Sequence, residues 1–528
     1  MTKRPSIDPI LPNGLSRRQF LGATAAAGFA MTASGLFVPK SAMAAETPKK
    51  GGNLKLGIKG GAATDVLDPA AAAGTVSFLC NHLWGDKIVE SDPETGAPLP
   101  ALAESWESSP DASVWTFKVR KDVAFHDGSK MTIADLVATL KRHTDEKSKS
   151  GALGLLRSIK SVEDKAGDLV ITLTEGNADL PLLLTDYHLM VQPNGGYDDP
   201  NAAIGTGAFT LKSYEPGIRA TFEKNKNDWR DDRGYVDSVE VIVMNDNTAR
   251  IAALSSRQVH FINFVEPKTI KLLERAPHVD ILQTHAKGYY SFQMFCDTAP
   301  FDNNDLRLAM KYAIDRQEIL DRIVGGYGSL GNDYPVNSTY QLAPDDIEQR
   351  MYDPEKAAFH YKKSGHDGPV LLRTSDAAFP GAVDAAVLYQ EHAKKAGIDI
   401  EVKREPADGY WSNVWNVKPF SATYWGGRPT QDLRYATSYL SSADWNDSRF
   451  KRADFDKMLL EARAELDNDK RKALYRQMAI MVRDEGGSII PVFNDFLNAS
   501  AKSMKGFVHD IGNDLSNGQI ASRVWLDA

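Results

Sequence analysis

Residues 115–128 read Trp-Thr-Phe-Lys-Val-Arg-Lys-Asp-Val-Ala-Phe-His-Asp-Gly. Apolar and polar side chains alternate over the first part of this stretch, which predicts a half-buried β-strand. His-Asp-Gly at 126–128 is typical of a turn. Thr132, followed three residues later by Asp135, then predicts a capping box at the start of a helix. A strand, a turn and a helix in this order indicate an α/β architecture.

The same mixture of elements continues on both sides of this stretch. Alternating apolar residues predict strands over 53–58 and 169–173. Helical periodicity with start and stop signals predicts one helix over 305–324 and a helical pair over 453–486. At 528 residues the chain is long enough for about three domains, and it carries no internal repeat. The sequence therefore predicts an α/β protein with several lobes.

Charge and cysteine content exclude some classes of function. The chain has 62 Lys and Arg against 70 Asp and Glu, a net charge of −8, without a block of basic residues. We therefore expect no nucleic-acid partner and no binding to an anionic membrane surface. The two cysteines, Cys80 and Cys296, are too few for a disulfide framework or a multi-cysteine metal site. Whether they pair with each other does not follow from the sequence.

The first 44 residues have the order of an export signal. Ser16-Arg17-Arg18-Gln19-Phe20-Leu21 precedes an apolar run rich in Ala and Gly over 22–38, and Ala42-Met43-Ala44 is a small-residue cleavage site. The paired arginines before Phe-Leu resemble a bacterial twin-arginine signal. A permanent membrane anchor is the alternative, although the run is short and weakly apolar. We expect twin-arginine export, cleavage after Ala44 and a periplasmic location.

Motifs of catalysis and of cofactor binding are mostly missing from the sequence. Residues 326–331 match G-x-G-x-x-G, but this stretch follows a predicted helix, whereas a dinucleotide site needs it between a strand and a helix. We therefore expect it to be a helix stop and a loop. The histidines are scattered without i, i+4 pairs, so a metal site is not expected. The sequence predicts no enzyme, no cofactor and no metal.

Aromatic residues are dense between 410 and 445. They are Tyr410, Trp411, Trp415, Phe420, Tyr424, Trp425, Tyr435, Tyr439 and Trp445. They form either the core of one domain or the wall of a ligand site, since large rigid rings cover organic ligands at low entropic cost.

The stretch 424–432 is the best candidate for binding within this aromatic segment. Its two glycines would let a ligand approach the backbone, and Arg428 offers a planar fork to a carboxylate. An ion pair between Arg428 and a neighbouring Asp is the alternative. The predicted substrate-binding residues are Tyr424, Trp425, Gly426, Gly427, Arg428 and Asp432.

Several segments together resemble the extracellular solute-binding proteins of peptide, nickel and opine ABC transporters, known as solute-binding family five. The resemblance covers almost all of 51–528, in the order and spacing of the family. The segments are Leu102-Ala103-Glu104-Ser105-Trp106-Glu107, residues 115–128, Gly205-Thr206-Gly207-Ala208-Phe209, Glu223-Lys224-Asn225-Lys226-Asn227-Asp228-Trp229, Pro300-Phe301-Asp302 with Arg307, Ala313-Ile314-Asp315-Arg316 and Tyr352-Asp353-Pro354-Glu355-Lys356-Ala357.

This resemblance implies a type II periplasmic-binding-protein fold, α/β, with two hinged lobes and an extra subdomain in the first lobe. Residues 51–90, 205–290 and 495–528 would form lobe one, 91–204 the subdomain and 291–494 lobe two. Crossing strands are expected at 290–296 and 493–497. The ligand would be a peptide or small molecule, enclosed between the lobes of a monomer and delivered to ABC transporter permease subunits in the inner membrane.

One departure from the family pattern concerns the ligand. Peptide binders of the family usually hold the ligand's ammonium with an Asp in a stretch that resembles W-G-x-D-Y-x-D. The aligned positions are Arg428 and Gln431 here, with Asp432 one place late. A peptide is the first expectation, and an opine-like or other carboxylated solute gains weight over a nickel chelate. A periplasmic hydrolase and a ligand-presenting partner of a chemoreceptor are the alternatives from other classes.

Overall fold

The computed structural model describes residues 47–145 and 147–527. The predicted export signal, residues 1–44, therefore lies outside the described residues. Three larger sheets and two pairs of short strands organise the rest of the chain. The short pairs are Val89–Ser91 with Pro98–Pro100, and Met504–Lys505 with Trp525–Leu526.

A seven-stranded sheet forms what we call the first lobe. The predicted strand Asn53–Ile58 lies inside this sheet, because Leu54, Leu56 and Ile58 alternate along it and are all buried. In spatial order the strands are Val279–Thr284, Phe496–Ala501, Phe261–Ile262, Asn53–Ile58, Ser238–Val243, Arg219–Lys224 and Phe209–Glu215. Its helices are Pro69–Ala71, Thr75–Trp84, Asn247–Ser255, Pro267–Leu273, Asp514–Asn517 and Ile520–Arg523.

A four-stranded sheet with its own core forms the subdomain. The strand and the helix predicted around residues 115–135 lie here: Val114–Val119 is a central strand, and the backbone N–H of Thr132 donates to the Asp135 carboxylate (2.8 Å) before the helix Ile133–Thr144. The strands in order are Ala103–Ser108, Val114–Val119, Asp168–Leu173 and Ile159–Lys165. The other helices are Leu153–Leu156, Leu180–Leu183 and Pro193–Gly196.

A six-stranded sheet forms the second lobe together with most of the longer helices. One core packs helices against the sheet around Phe292 and Tyr389, and a second lies among helices around Tyr435 and Phe455. The strands in order are Gly328–Leu330, Ser488–Asn494, Tyr289–Met294, Phe420–Trp425, Val370–Thr374 and Ile400–Arg404. The helices are Asn304–Tyr312, Arg316–Arg322, Pro354–Ser364, Ala382–Lys394, Tyr410–Asn413, Gln431–Ser438, Ala453–Ala464 and Asn468–Glu485.

The single helix predicted over 305–324 is wrong in detail. Two helices are present, Asn304–Tyr312 and Arg316–Arg322, because the carboxylate of Asp315 accepts the N–H of Glu318 (3.1 Å) and caps a new helix. The helical pair predicted over 453–486 is confirmed as Ala453–Ala464 and Asn468–Glu485.

The loop expected for the G-x-G-x-x-G stretch is wrong in part, because Gly328–Leu330 is a strand that pairs antiparallel with Ser488–Asn494. A Cβ atom on Gly328 would lie 2.3 Å from the carbonyl oxygen of Phe493, and one on Gly331 would lie 2.0 Å from that of Ile490. These glycines therefore allow close backbone approach to the strand Ser488–Asn494.

The chain passes between the two lobes at two places, which lie side by side. Residues 285–288 connect the strand Val279–Thr284 to Tyr289–Met294, and Asp495 connects Ser488–Asn494 to Phe496–Ala501. The backbone N–H of Asn494 donates to the carbonyl of Gly288 (3.1 Å). The crossing strand expected at 290–296 is wrong, because Tyr289–Met294 lies within the second-lobe sheet and the crossing precedes it. The second crossing lies within the expected 493–497 but is a single residue.

The second lobe contains a carboxylate buried among arginines. Asp333 is fully buried and accepts hydrogen bonds from Arg316 and Arg350, each at 2.7 Å, and from the backbone N–H of Ile490 (3.0 Å). Burial alone would raise the pKa of Asp333, but Arg316 and Arg350 lower it below its ordinary value. One side chain thus connects the helix Arg316–Arg322 to the strand Ser488–Asn494.

Two further properties concern the described residues. Of their helices, none has both the length and the apolar character needed to cross a bilayer. Cys80 is buried in the first lobe. Cys296 is partly buried and packs against the helical core of the second lobe. Each thiol is free.

We predict that Asp333→Asn lowers the free energy of unfolding by about 3 kcal/mol or more, because it leaves the buried Arg316 without an acid and leaves Arg350 with Asp484 alone. Asn tolerates the left-handed backbone of this position (φ 62°), so the change isolates the charge. Chemical denaturation measures the loss. Asp346→Asn is the control, since its ion pair with Arg476 is exposed, and it should cost about 1 kcal/mol or less. Equal losses in the two variants would contradict the prediction.

Candidate functional site

The six predicted binding residues lie where a strand of the second lobe leads into a helix. The strand Phe420–Trp425 ends at Trp425, residues 426–429 turn, and the side chain of Thr430 accepts the N–H of Leu433 (3.1 Å) at the start of the helix Gln431–Ser438. We call residues 426–429 the site turn. Strand, turn and capped helix together fix the directions of the side chains that follow.

Tyr424 and Trp425 lie on opposite faces of the sheet, because successive side chains alternate along a strand. Trp425 is buried, whereas Tyr424 is half exposed and packs edge-to-face on Trp411, with ring centroids 5.5 Å apart. The structure therefore does not bring these two predicted residues together.

The Trp425 indole is held by a buried acid that was not among the predicted binding residues. Asp447 accepts the ring N–H groups of Trp425 (3.0 Å) and Trp415 (2.9 Å) on one carboxylate oxygen. Burial raises the pKa of Asp447 to about 6, and the two indole hydrogen bonds act in the opposite direction. Asp447 therefore orients the aromatic side chains and is already engaged by them.

Arg434 covers the other side of Trp425. Its guanidinium carbon lies 4.1 Å from the centre of the Trp425 ring, and its side chain is fully buried. It donates to the Ser438 hydroxyl (2.7 Å) and weakly to the carbonyl of Gly426 (3.4 Å), while its Nε has no acceptor. Arg434 has no ion pair with an acid in the described part of the chain.

Arg428 does not form the ion pair that the sequence left as its alternative, as far as the described residues extend. Its side chain donates to the neighbouring carbonyl of Gly427 (3.1 Å), and its backbone N–H donates to the Tyr340 hydroxyl (3.4 Å). Burial lowers the pKa of Arg428, and the nearby charge of Arg434 adds to this effect. The guanidinium thus lies in a positive environment.

The two glycines of the site turn differ in their surroundings. A Cβ atom on Gly427 would lie 2.8 Å from the Cβ of Lys287, so the turn lies directly against the first crossing. A Cβ on Gly426 would meet nothing within 4 Å. Close approach to Lys287, rather than to a ligand, explains the glycine at 427.

Asp432 is engaged in an ion pair inside the second lobe. Both of its carboxylate oxygens accept from Nε of Arg463, at 3.0 and 3.1 Å. Burial raises the pKa of Asp432 to about 6, against the effect of Arg463. The Asp432 carboxylate is therefore already paired with a cation of the protein.

A small cavity lies between the subdomain and the second lobe, with Lys287 of the crossing in its wall. Its volume of ≈ 20 Å³ suits about one water molecule, so a ligand requires the lobes to separate. The subdomain and the turn beside it contribute Gly96, Asp179 and Leu182; the second lobe contributes Thr339, Tyr340, Gln341, Leu342, Pro429, Thr430, Gln431, Arg471 and Tyr475.

Lys287 is the cation of this cavity that lacks an acid partner among the residues described. Its side chain is buried, and its ammonium lies 3.5 Å from the carbonyl of Pro429 and 5.0 Å from the Tyr340 ring centre. Burial lowers the pKa of Lys287 to about 8, which the more distant Asp510 partly offsets.

An ion pair joins the subdomain to the second lobe across the cavity. Asp179 accepts from Nη2 of Arg471 (2.5 Å), and both side chains are buried. The backbone N–H of Ala178 donates to the carbonyl of Arg463 (2.8 Å) beside it. Burial alone would lower the pKa of Arg471, and the Asp179 carboxylate more than reverses this. We call the Asp179–Arg471 pair the interlobe bridge.

No group of three or more His, Cys, Asp or Glu side chains able to hold a metal ion occurs among residues 47–145 and 147–527. What converges at the cavity is a set of hydrogen-bond donors and aromatic rings. Such an arrangement binds and orients a solute.

Two lobes joined by paired crossings, with a cavity between them, define a two-lobed binding protein. Residues 97–447 match the bacterial extracellular solute-binding proteins, family 5 Middle. The match covers more than half of the chain, so the protein belongs to family 5 of the bacterial extracellular solute-binding proteins.

Individual relatives agree with this family. The periplasmic oligopeptide-binding protein OppA of Haemophilus influenzae is 23% identical over 478 residues, which cover 83% of this chain and 87% of the relative. The structure of HbpA2 from Haemophilus parasuis is 20% identical, with a TM-score of 0.79, covering 90% of this chain and 100% of that one. The structure of AgaA from A. tumefacien R10 in complex with agropinic acid is 23% identical, with a TM-score of 0.71, covering 90% and 99%. These neighbours have the periplasmic-binding-protein fold predicted from the sequence.

Sequence reasoning missed Lys287 and Arg434. Lys287 stands in a short crossing without periodicity, so its burial depends on how the lobes pack. Arg434 did leave a signal: a helix capped by Thr430 carries Gln431, Arg434 and Ser438 at spacings of three and four, and all three are buried on one face. A charged residue on the buried face of a helix is a candidate for function.

We predict that Asp179→Asn shifts the protein towards an open form, because the neutral amide no longer balances the Arg471 charge across the cavity. Small-angle scattering should show a larger mean radius of gyration than for the wild type. The control is Asp345→Asn. Asp345 pairs with Lys472, which lies on the same helix as Arg471, but this ion pair faces solvent. A variant that scatters like the wild type, both with and without a periplasmic solute extract, would exclude a role of the bridge in closure.

Proposed function

We propose that this protein is the periplasmic substrate-binding component of an ABC importer. It captures a peptide or a similarly small carboxylated solute between its lobes and delivers it to the permease subunits in the inner membrane. The observation that carries the proposal is the cavity whose wall combines the subdomain, the second lobe and the crossing residue Lys287. A ligand in this place contacts the subdomain, the second lobe and one of the two connections between the lobes.

The mechanism follows from the two crossings. In a hinge motion a few residues in short connections absorb the rotation while the lobes stay rigid. A solute shifts the balance to the closed form by the amount by which it binds that form more tightly. The interlobe bridge also stabilises the closed form, because Asp179 belongs to the subdomain and Arg471 belongs to the second lobe. We propose a monomeric protein with the lobe limits expected from the resemblance, 51–90, 205–290 and 495–528 for lobe one, 91–204 for the subdomain and 291–494 for lobe two, except that the first crossing at 285–288 moves Tyr289 and Tyr290 to the second lobe.

Relatives support more than one solute within this class. OppA is named as an oligopeptide-binding protein, and AgaA was solved with agropinic acid. A peptide, an opine-like acid and a nickel chelate are therefore the candidates. The predicted ligand contacts are those of Trp425, Arg428 and the site turn. Tyr424 and Asp432 are the weaker candidates: Tyr424 lies on the opposite face of the sheet from Trp425, and Asp432 is paired with Arg463.

Two functions from other classes are the alternatives, and experiments on the same purified protein test both. A periplasmic hydrolase would convert a peptide mixture into products that mass spectrometry detects. A ligand-presenting partner of a chemoreceptor would bind solute equally well, and a pull-down from membranes separates receptor from permease. We propose binding without turnover, which fits a cavity wall made of donors and aromatic rings.

We predict that the solute extracted from the protein's own periplasm stabilises it and compacts it. Binding to the folded form should add about 2.7 kcal/mol of stability at one hundred times Kd. Thermal denaturation measures the stabilisation, and small-angle scattering measures the fall in radius of gyration. Solute that stabilises the protein without any change in scattering would argue against closure of the lobes.

We propose that the protein reaches the periplasm through the twin-arginine route and is cleaved after Ala44. We predict that Arg17→Lys combined with Arg18→Lys leaves the precursor in the cytoplasm, because that machinery reads the arginine pair. Cell fractionation measures the distribution, and Lys3→Arg is the control in the same segment. Periplasmic accumulation of the double variant through the general secretory route would contradict the prediction.

A further inference from the structure

Three cations converge on the site turn. The ammonium of Lys287 lies 3.5 Å from the carbonyl of Pro429, Arg434 donates to the carbonyl of Gly426 at 3.4 Å, and Arg428 is itself part of the turn. We call Lys287, Arg428 and Arg434 the basic cluster. In the described part of the chain none of the three forms an ion pair.

Every acid near the basic cluster already has another partner. Asp432 is paired with Arg463, and Asp179 is paired with Arg471. Asp510, which acts on Lys287 from a distance, is paired with Arg523 (2.8 Å). Asp447 accepts the indole N–H groups of Trp415 and Trp425, and its carboxylate also interacts with the nearby charge of Arg434.

Further donors close to the cluster also lack partners. The side-chain Nε2 of Gln431, which lines the cavity, and Nε of Arg434 have no acceptor. The hydroxyl groups of Tyr289 and Tyr435 are likewise buried without partners. Buried polar groups are otherwise almost always satisfied, so an excess of unpaired donors indicates acceptors that come from elsewhere.

We infer that the cavity takes an anionic solute, whose acid group is bound by Lys287 in the cavity wall while Arg428 and Arg434 add positive charge around the site turn, and that it has no subsite for a free ammonium group. This inference rests on the proposed function and defines its substrate class. A carboxylate or a phosphate fits the cluster, because both accept several charge-assisted hydrogen bonds from guanidinium and ammonium groups. An ammonium group would face three cations and no available acid.

The members of the basic cluster belong to different parts of the fold. Lys287 belongs to the connection between the lobes, whereas Arg434 belongs to a helix of the second lobe. An acid group bound by Lys287 beside the site turn therefore ties the crossing to the second lobe.

The first test compares charge classes of solute. The purified protein is screened by thermal denaturation against small anionic, zwitterionic, neutral and cationic solutes, with carboxylates and phosphates as separate arms. The set includes dialanine, N-acetyldialanine and dialanine amide, which differ only at the termini. Solutes that co-purify from the periplasm are identified by mass spectrometry.

We expect the stabilising solutes to be anions, and N-acetylation to leave binding intact while amidation removes it. The two anionic arms decide between carboxylate and phosphate. Stabilisation by neutral or cationic solutes, or loss of binding on N-acetylation, would overturn the inference and leave the proposed function standing. If no solute of any class stabilises or co-purifies, the proposed function fails, and the inference fails with it.

The second test uses Lys287→Met and Arg428→Gln with the anion that stabilises most strongly. We expect Kd to rise about 30-fold or more for Lys287→Met, as is typical when one member of a buried charge pair is lost. The Tm of the free variant should be unchanged or higher, because an unpaired buried ammonium has been removed. Lys472→Met, at an exposed lysine of the second lobe, is the control and should change neither quantity. A lower Tm with an unchanged Kd in Lys287→Met, together with an unchanged Kd in Arg428→Gln, would assign the cluster a structural role instead.

Discussion

The carboxylate of Asp495 holds together the two stretches of chain that connect the lobes, and the position of the cavity depends on this contact. The Asp495 side chain is almost fully buried and accepts from the side-chain amide of Gln283 (2.6 Å), in the strand that leads into the other crossing, and from the ring of His285 (3.1 Å) in that crossing. Because the crossings are fixed side by side, the lobes can rotate only about this one edge. Lys287 lies in the same crossing as His285, so a ligand next to it contacts the axis as well as the second lobe. Ligand recognition and lobe movement therefore share one short segment.

Two of the segments that resemble the family, residues 205–209 and 223–229, contribute to a buried polar network in the first lobe. Asp86 accepts from Arg233 (2.6 Å), from the hydroxyl of Thr206 (2.9 Å) and from the Trp229 indole (2.8 Å). Burial works against ionisation of Asp86, yet Arg233 and these hydrogen bonds lower its pKa to about 2. A Cβ atom on Gly207 would lie 2.6 Å from the backbone of Trp84, so the Gly-Thr-Gly turn packs against the end of a helix. The motifs thus specify packing and buried polar contacts, and they carry information about the fold rather than about the ligand.

This division explains what the sequence could predict. The strand Asn53–Ile58 and the capped helix after Thr132 were predictable, because alternation and capping are local signals. The break at Asp315 was missed, since a single capping residue competes with a continuous helical periodicity. Within the candidate site, Trp425 and the turn after it were predicted from aromatic and glycine content and stay predictions, whereas the placement of Lys287 and Arg434 depends on packing between distant segments. Asp432 looked available in the sequence only because Arg463, its partner, is 31 residues away.

Unpaired buried cations explain how binding and closure can be one event. Lys287 and Arg434 are buried without an ion pair among the described residues, and such an arrangement destabilises the closed form of the free protein. An anion between the lobes supplies the missing charge and satisfies the donors, so its stabilising effect falls mainly on the closed form. A neutral solute of the same shape leaves the repulsion between the cations in place and gains less from closure. The interlobe bridge acts in the other direction, since Asp179 and Arg471 attract each other whether or not a solute is present. The balance of a repulsive cluster and an attractive bridge across one cavity lets the charge of the solute decide between the open and the closed form.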